Sequence, residues 1–419
     1  MARAQLVSLL CALACGPVAS AGATPVDAMA VHADAIVIDG HLDLPADHAD
    51  AAWAGAADGR GQIDLPKMER GGVDAAVFAL FAWQQADTPD EDAKAVATGR
   101  IKLEAVERMV ARNPERIGLA RSADALAALA RVGRRSAVLS VLNATVLGRD
   151  AELLDAYYAR GLRQVGFVHA GHNAFADSSR PMAKNGDAAS RWGGLSPRGR
   201  RLVAELTDLG IIVDVSQLSS AALRETIALS RAPVVASHSA LQALVEAPRN
   251  LTDEELRLIA KSGGSASAGG VINVVAFSAY LRAPPIEHAA DLRRLREKYH
   301  AAYDAAVAKL PQAARNAYNA EYFALLRALP RATVADLVDA IDHVVRIVGV
   351  EHVGIATDFE HAGGVLGFAN AAEAPNVTRE LLARGYTAPQ IGQIWGGNWL
   401  RLWREVDSRR QQSSAAQKE

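Results

Sequence analysis

Short runs of consecutive apolar residues alternate along this chain with longer stretches in which apolar positions recur every three or four residues. The runs at 35–39, 73–80, 136–141, 162–168, 210–215, 233–237, 265–275 and 352–357 predict strands. The helical pattern at 91–112, 123–132, 150–160, 197–209, 219–230, 252–262 and 333–349 predicts helices between them. Val213, Val215, Val234 and Val235 belong to runs that are apolar almost throughout rather than at alternate positions. A strand reads this way when helices cover both faces of a parallel sheet. Repeated strand–helix alternation therefore predicts an α/β fold, and about eight strands favour a closed (β/α)8 TIM-type barrel over an open sheet.

Two segments break the rhythm. Residues 171–196, rich in Gly, Ser and Asn, read as a long loop above the barrel. Residues 284–330 read as an inserted helical pair, with Tyr299, Tyr303, Tyr318 and Tyr322 packing its helices. A single barrel domain is expected over 30–405, followed by a polar tail over 406–419.

The N-terminus changes the picture of the compartment. Residues 1–21 have the form of a signal peptide: Arg3 in a short basic region, an apolar stretch from Ala4 to Ala14, and the small residues Ala19-Ser20-Ala21. Export follows, to a secreted or periplasmic location. A lipid anchor ranks second, because Ala12-Leu13-Ala14-Cys15 departs from a lipoprotein cleavage pattern. No later run of about 18 apolar residues predicts a transmembrane segment. Cys11 and Cys15 both lie inside this leader, so the mature chain has neither disulfides nor thiolate ligands. With 45 basic and 47 acidic side chains, the balance suggests no nucleic-acid partner and no polybasic membrane patch.

Candidate chemistry collects at the strand ends, where barrels of this type place their reacting groups. The first strand run leads into His41-Leu42-Asp43. Residues two apart on a strand share a face, so an imidazole nitrogen and a carboxylate oxygen can converge on a divalent cation such as zinc. The third strand ends at Leu142-Asn143, the fourth at His169, the fifth at Ser216-Gln217 and the sixth at His238. The seventh carries Asn273 and the eighth ends at Asp358. Each alone has a plainer role: His169 or His238 as a hydrogen-bonded core histidine, Asp358 as a helix cap, Asn273 as a partner for backbone groups. Their joint placement points to a site that is, or once was, catalytic. His32, His48, His288, His300, His343, His352 and His361 lack this placement and read as surface or packing residues, with His172 open.

These residues and their neighbours resemble the renal (membrane) dipeptidase family of zinc hydrolases, from about residue 30 to residue 402. The resemblance rests on Ile38-Asp39-Gly40-His41-Leu42-Asp43, the stretch 173–179, Gly194-Leu195-Ser196-Pro197, Ala236-Ser237-His238-Ser239, Pro248-Arg249-Asn250, 354–359 and Trp395-Gly396-Gly397-Asn398. It implies a (β/α)8 fold and hydrolysis of dipeptides or related small amides by metal-activated water. By resemblance His41 and Asp43 hold the first zinc and His238 the second. Asp358 orients or deprotonates the water, His169 contacts the tetrahedral oxyanion, and Arg249 pairs with the substrate carboxylate. Asn273 is counted with the substrate-binding residues. Family members often pair as homodimers, although no surface in the sequence argues for it independently.

Two expected ligands are missing. Leu142 stands where the family has a bridging glutamate, and Gln217 where it has a histidine. Two dications about 3.5 Å apart repel by roughly 20 kcal/mol at an effective dielectric constant of 20, and Leu142 offsets none of it. The expectation is therefore one zinc ion rather than two, held by His41, Asp43 and Asp358, with His238 or His169 polarising the substrate or shuttling a proton. The function expected is a dipeptidase-like metallohydrolase with an altered, one-metal site. The alternative is an inactive homologue that binds a small carboxylated ligand or a partner protein.

Overall fold

The computed structural model describes residues 27–44, 61–264, 269–301, 307 and 310–416. The leader over 1–21, His48 and Tyr303 lie outside the described residues. Nine strands form one sheet: β1 (Ile38–Asp43), β2 (Ala75–Leu80), β3 (Ile117–Leu119), β4 (Arg135–Val141), β5 (Leu162–Gly166), β6 (Ile212–Asp214), β7 (Val235–Ser239), β8 (Val271–Val275) and β9 (Val353–Ala356). The order is β1-β2-β4-β5-β6-β7-β8-β9, every pairing is parallel, and β3 adds to β4 outside that path. At the seam the Asp358 amide donates to the His41 carbonyl at 3.0 Å and the Asp43 amide to the Phe359 carbonyl at 3.0 Å. The expected barrel of eight parallel strands is thus present.

The elements differ from the expectation in instructive ways. β1 starts at Ile38, beyond most of the apolar run at 35–39, so His41 and Asp43 lie within the strand. β3 was not expected, because a strand of 3 residues is too short to impose a period. Only the end of the run at 265–275 is a strand, and residues 265–268 lie outside the described residues. The helix Asn398–Ala416 runs over most of the segment read as a polar tail. The insertion contains the helices Ile286–Lys298 and Gln312–Ala328, and the Tyr299 and Tyr318 rings meet edge-on at 5.6 Å. No described helix is long and apolar enough to cross a membrane.

Local chemistry sets the helix ends. Ser196 caps the helix Pro197–Leu209 by accepting from the Gly199 amide, Pro197 occupies its first turn, and Gly210 ends it at φ 70°. Thr333 and Asp336 form a reciprocal capping box on Val334–Val348. That helix buries Leu337, Val338, Ile341 and Val344 against the sheet, one stripe at helical spacing.

The barrel interior is polar at the seam. Buried Asp39 accepts from the Thr357 amide at 3.0 Å and the Thr357 hydroxyl at 2.5 Å, tying β1 to the end of β9. Asn273 on β8 fills the space between two glycines. A Cβ on Gly40 would lie 2.0 Å from its Nδ2, and a Cβ on Gly354 would lie 2.0 Å from its Oδ1. Only glycine fits at those two positions.

Candidate active site

The strand ends bring most of the expected residues to one mouth. Strand alternation aims Asp39, His41 and Asp43 inward together, with Asp43 uppermost. The His41 ring stacks on His238 from β7, centroids 3.8 Å apart and planes 10° apart. His41 Nε2 lies 3.8 Å from Asp358 Oδ1. Asp358 follows β9 at φ 53°, a left-handed backbone conformation that a non-glycine residue holds only against strain. Burial lowers the His41 pKa to about 4 and holds those of His238 and His169 well below the ordinary value, so all three imidazoles are neutral at pH 7. Burial raises Asp358 to about 6, against the opposing charges of His361, Arg249 and Arg180.

Arg249 reaches the site from a loop pinned by its neighbour. Asn250 Nδ2 donates to the carbonyls of Leu241 at 3.3 Å, Val245 at 2.9 Å and Tyr280 at 3.1 Å. Arg249 itself donates to the His238 carbonyl and lies over the Tyr280 ring at 4.5 Å. Its buried Nε has no partner among the described residues. Asn273 does not join this group: its side chain sits between Gly40 and Gly354, below the mouth.

His361 is a correction to the sequence reading, which placed it among surface or packing histidines. Its Nδ1 lies 2.5 Å from Asp43 Oδ2, and its ring stands 5.4 Å from that of His169. Burial lowers its pKa, but the hydrogen bond and charge of Asp43, with the charge of Asp358, outweigh this and raise it. The signal available was its position three residues beyond Asp358, on the same loop. His172, left open, is structural: its Nδ1 accepts from the Ser178 amide at 3.0 Å, and its Nε2 pairs with the Ala188 carbonyl at 3.0 Å.

Sequence reasoning missed Arg180 altogether, since nothing in the 171–196 loop singles out one arginine. It donates through Nη2 to Gln217 Oε1, approaches His169 Nε2 at 3.4 Å, and donates through Nη1 to the Tyr280 hydroxyl at 3.3 Å. Gln217 sits at φ 67°, and its Nε2 lies 2.9 Å from His238 Nε2. His238 Nδ1 lies 2.7 Å from Ser237 Oγ, whose hydroxyl donates to Asp214 Oδ2 at 2.5 Å. One assignment satisfies every contact in the row: Arg180 donates to Gln217, Gln217 to His238, His238 to Ser237 and Ser237 to Asp214. Leu142 is buried in a small apolar cluster with Ala79 and Phe81.

Several polar side-chain atoms at this mouth have no hydrogen-bond partner among the described residues. Among the described residues, both His41 nitrogens and Asp43 Oδ1 are buried without a hydrogen-bond partner. Each such atom costs about 1–3 kcal/mol, which a cation would offset. With Asp358, 3.8 Å from His41 Nε2, these are the donor types that a zinc ion takes. On the other side of the mouth Gln217 engages the His238 Nε2 lone pair, Arg180 takes the Gln217 oxygen, and Leu142 has no donor. Among the described residues, no three His, Asp or Glu side chains converge as a finished cage. The site is therefore a partial one.

A cavity of about 400 Å³ opens beside it, lined by Asp43, Phe81, Trp83, Lys94, Lys102 and His361 among others. Its size suits a small molecule rather than a polypeptide.

Residues 26–417 match the family of membrane dipeptidases (peptidase family M19). The chain is 40% identical to the probable dipeptidase PvdM from Pseudomonas aeruginosa, whose crystal structure superposes with a TM-score of 0.85 over 91% of this chain and 98% of that one. A metallopeptidase from Rhodobacter sphaeroides, liganded with a phosphinate mimic of the dipeptide L-Ala-D-Ala, shares the fold at 23% identity, with a TM-score of 0.68 over 89% of this chain and 100% of that one. Dipeptidase aclJ of Aspergillus oryzae is 28% identical over 353 residues, 83% of this chain and 70% of that protein.

Proposed function

The chain belongs to the membrane dipeptidase family, and on that premise we propose that it hydrolyses dipeptides or related small amides with one bound cation rather than two. The observation that carries this reading is that both His41 nitrogens and Asp43 Oδ1 are buried at the barrel mouth without a partner among the described residues. His41, Asp43 and Asp358 would hold the ion, and mixed nitrogen and oxygen donors suit zinc. A bound zinc supplies Lewis-acid polarisation and a more acidic water.

The chain's own residues do the rest. Arg249 orients the substrate through its carboxylate, for which a planar guanidinium is suited. Asp358 would orient the water through its carboxylate, accept its proton and return it to the leaving amine. His361 fixes Asp43 through its Nδ1 contact. Neutral His169 presents a buried Nδ1 that has no partner among the described residues, available for a polarised substrate oxygen. Trp83, a large apolar side chain left 59% exposed at the cavity rim, offers a face for an apolar substrate group. The sequence of residues 1–21 supports action outside the cytoplasm.

The absence of a finished three-ligand cage among the described residues favours a second reading, a homologue that binds a small carboxylated ligand without turnover. Metal analysis of purified protein and assay against a dipeptide panel separate the two. About one equivalent of zinc, with hydrolysis abolished in Asp43→Ala, is the expected result. Peptide binding that needs Arg249, ignores chelator and never leads to cleavage would establish the binder instead.

A further inference from the structure

The site holds a positive group that the family resemblance does not assign. Arg180 enters from the 171–196 loop, is mostly buried, and directs its guanidinium at Gln217, His169 and Tyr280. None of these three partners carries negative charge, and the Asp358 carboxylate acts on Arg180 through space without a hydrogen bond among the described residues. Its Nε is buried with no partner among the described residues. Arg249 packs on the same tyrosine, so two guanidinium groups share the Tyr280 side chain.

What holds Arg180 there is directional. Each group in the row Arg180, Gln217, His238, Ser237, Asp214 donates to the next, and the row ends on a buried carboxylate. The Asp214 carboxylate also accepts from the Ser216 amide at 2.9 Å and the Ser237 amide at 3.0 Å, which fixes the far end. A row of aligned hydrogen bonds polarises its members in one sense, and here it draws the Gln217 carbonyl toward Arg180. A glutamine in place of a histidine is what allows this. An amide donates to His238 with one end and accepts from arginine with the other, which one neutral imidazole accepting from Arg180 could also do only by giving up its metal-binding lone pair.

We propose that Arg180 is an anion-binding residue of the active site, set by Gln217 as its positioning residue, and that it receives the negative oxygens of a tetrahedral, transition-state-like ligand beside His169. The fixed charge of Arg180 then stands on the side of the pocket formed by Gln217 and His238. The inference rests on the proposed amide-hydrolase reading but does not need turnover, because it concerns binding alone.

The test uses the full-length protein and the phosphinate mimic of L-Ala-D-Ala, titrated calorimetrically with chelator present and again with zinc. Arg180→Met is expected to weaken phosphinate binding by about 10- to 100-fold in both conditions, the range for a lost charge-assisted hydrogen bond. Gln217→Leu is expected to produce a similar loss, and the double variant no more than either single one, because both disable one device. Arg180→Lys retains the charge without the fork and is expected to recover part of the affinity. Thermal midpoints within a few degrees of the wild type's show that each variant is folded, and Arg180→Lys carries the comparison should Arg180→Met fall outside that range. Unchanged affinity in Arg180→Met or Arg180→Lys, strictly additive losses, or no phosphinate binding by the wild type in chelator would overturn the inference. Failure of the hydrolase reading shows up separately, as absent cleavage with phosphinate binding still dependent on Arg180.

Discussion

Leu142 stands beside the site as a packing residue. Buried with Ala79 and Phe81, it joins the apolar wall that continues to Trp83 through the 5.1 Å contact of the Phe81 and Trp83 rings. Leu142→Ala is expected to cost about 3 kcal/mol, measured as a shift in the urea midpoint at constant slope. A cost below about 1 kcal/mol would mean that Leu142 lines open space rather than core. His41, Asp43, His238, Arg249 and Asp358 were legible from the sequence because each stands at or near the C-terminal end of a strand or in a quoted motif. His361 and Arg180 were not, because loops carry no period, and their roles depend on which way a backbone turns after Asp358 and over residues 171–196. The positive φ at Asp358, Glu360 and Gln217 is invisible in residue types that ordinarily avoid it.

Among the elements, each of the seven predicted helices lies within a few residues of one in the structure, because caps and apolar stripes agree there, while Ala28–Asp34, Leu65–Arg70, Pro375–Ala383 and Ala388–Gly392 had no predicted counterpart. The helix Asn398–Ala416 is the exception worth pursuing, since its polar composition hid it. Trp399, Leu402, Trp403 and Val406 form its buried stripe, and half-buried Asp407 sits one residue beyond. Burial pushes the Asp407 carboxyl up to about 6, against the attraction of Arg163 and Arg410. The native state therefore binds this proton more tightly than the unfolded chain, whose carboxyl titrates near 3.8. Stability falls as pH rises through that interval and stays lower above it. Asp407→Asn is expected to be more stable than the wild type by about 1 kcal/mol at neutral pH, with the difference vanishing near pH 4. Chemical denaturation at the two pH values checks this, and an equal difference at both would exclude the mechanism.

At the scale of the whole molecule, the barrel depends on its seam. Asn273 fits only because residues 40 and 354 are glycines, so Gly354→Ala is expected to destabilise by about 3 kcal/mol through overpacking. Asn273→Ala in the same chain should recover part of that loss, and additive costs in a denaturation cycle would show that the asparagine is not what the new methyl group strikes. The closed eight-stranded ring was legible from the rhythm of apolar runs, while the glycine-lined seam was not, because contact between β1, β8 and β9 is a property of closure. The same seam joins the two halves of the site: Asp43 and His361, 2.5 Å apart in space, are separated by 318 positions in the chain. During synthesis, every intermediate that ends before Asp358 carries His41 and Asp43 without the partners that complete the pocket. Ligand recognition is thus withheld from the nascent chain and arrives in a single late event, when the last strand docks against the first.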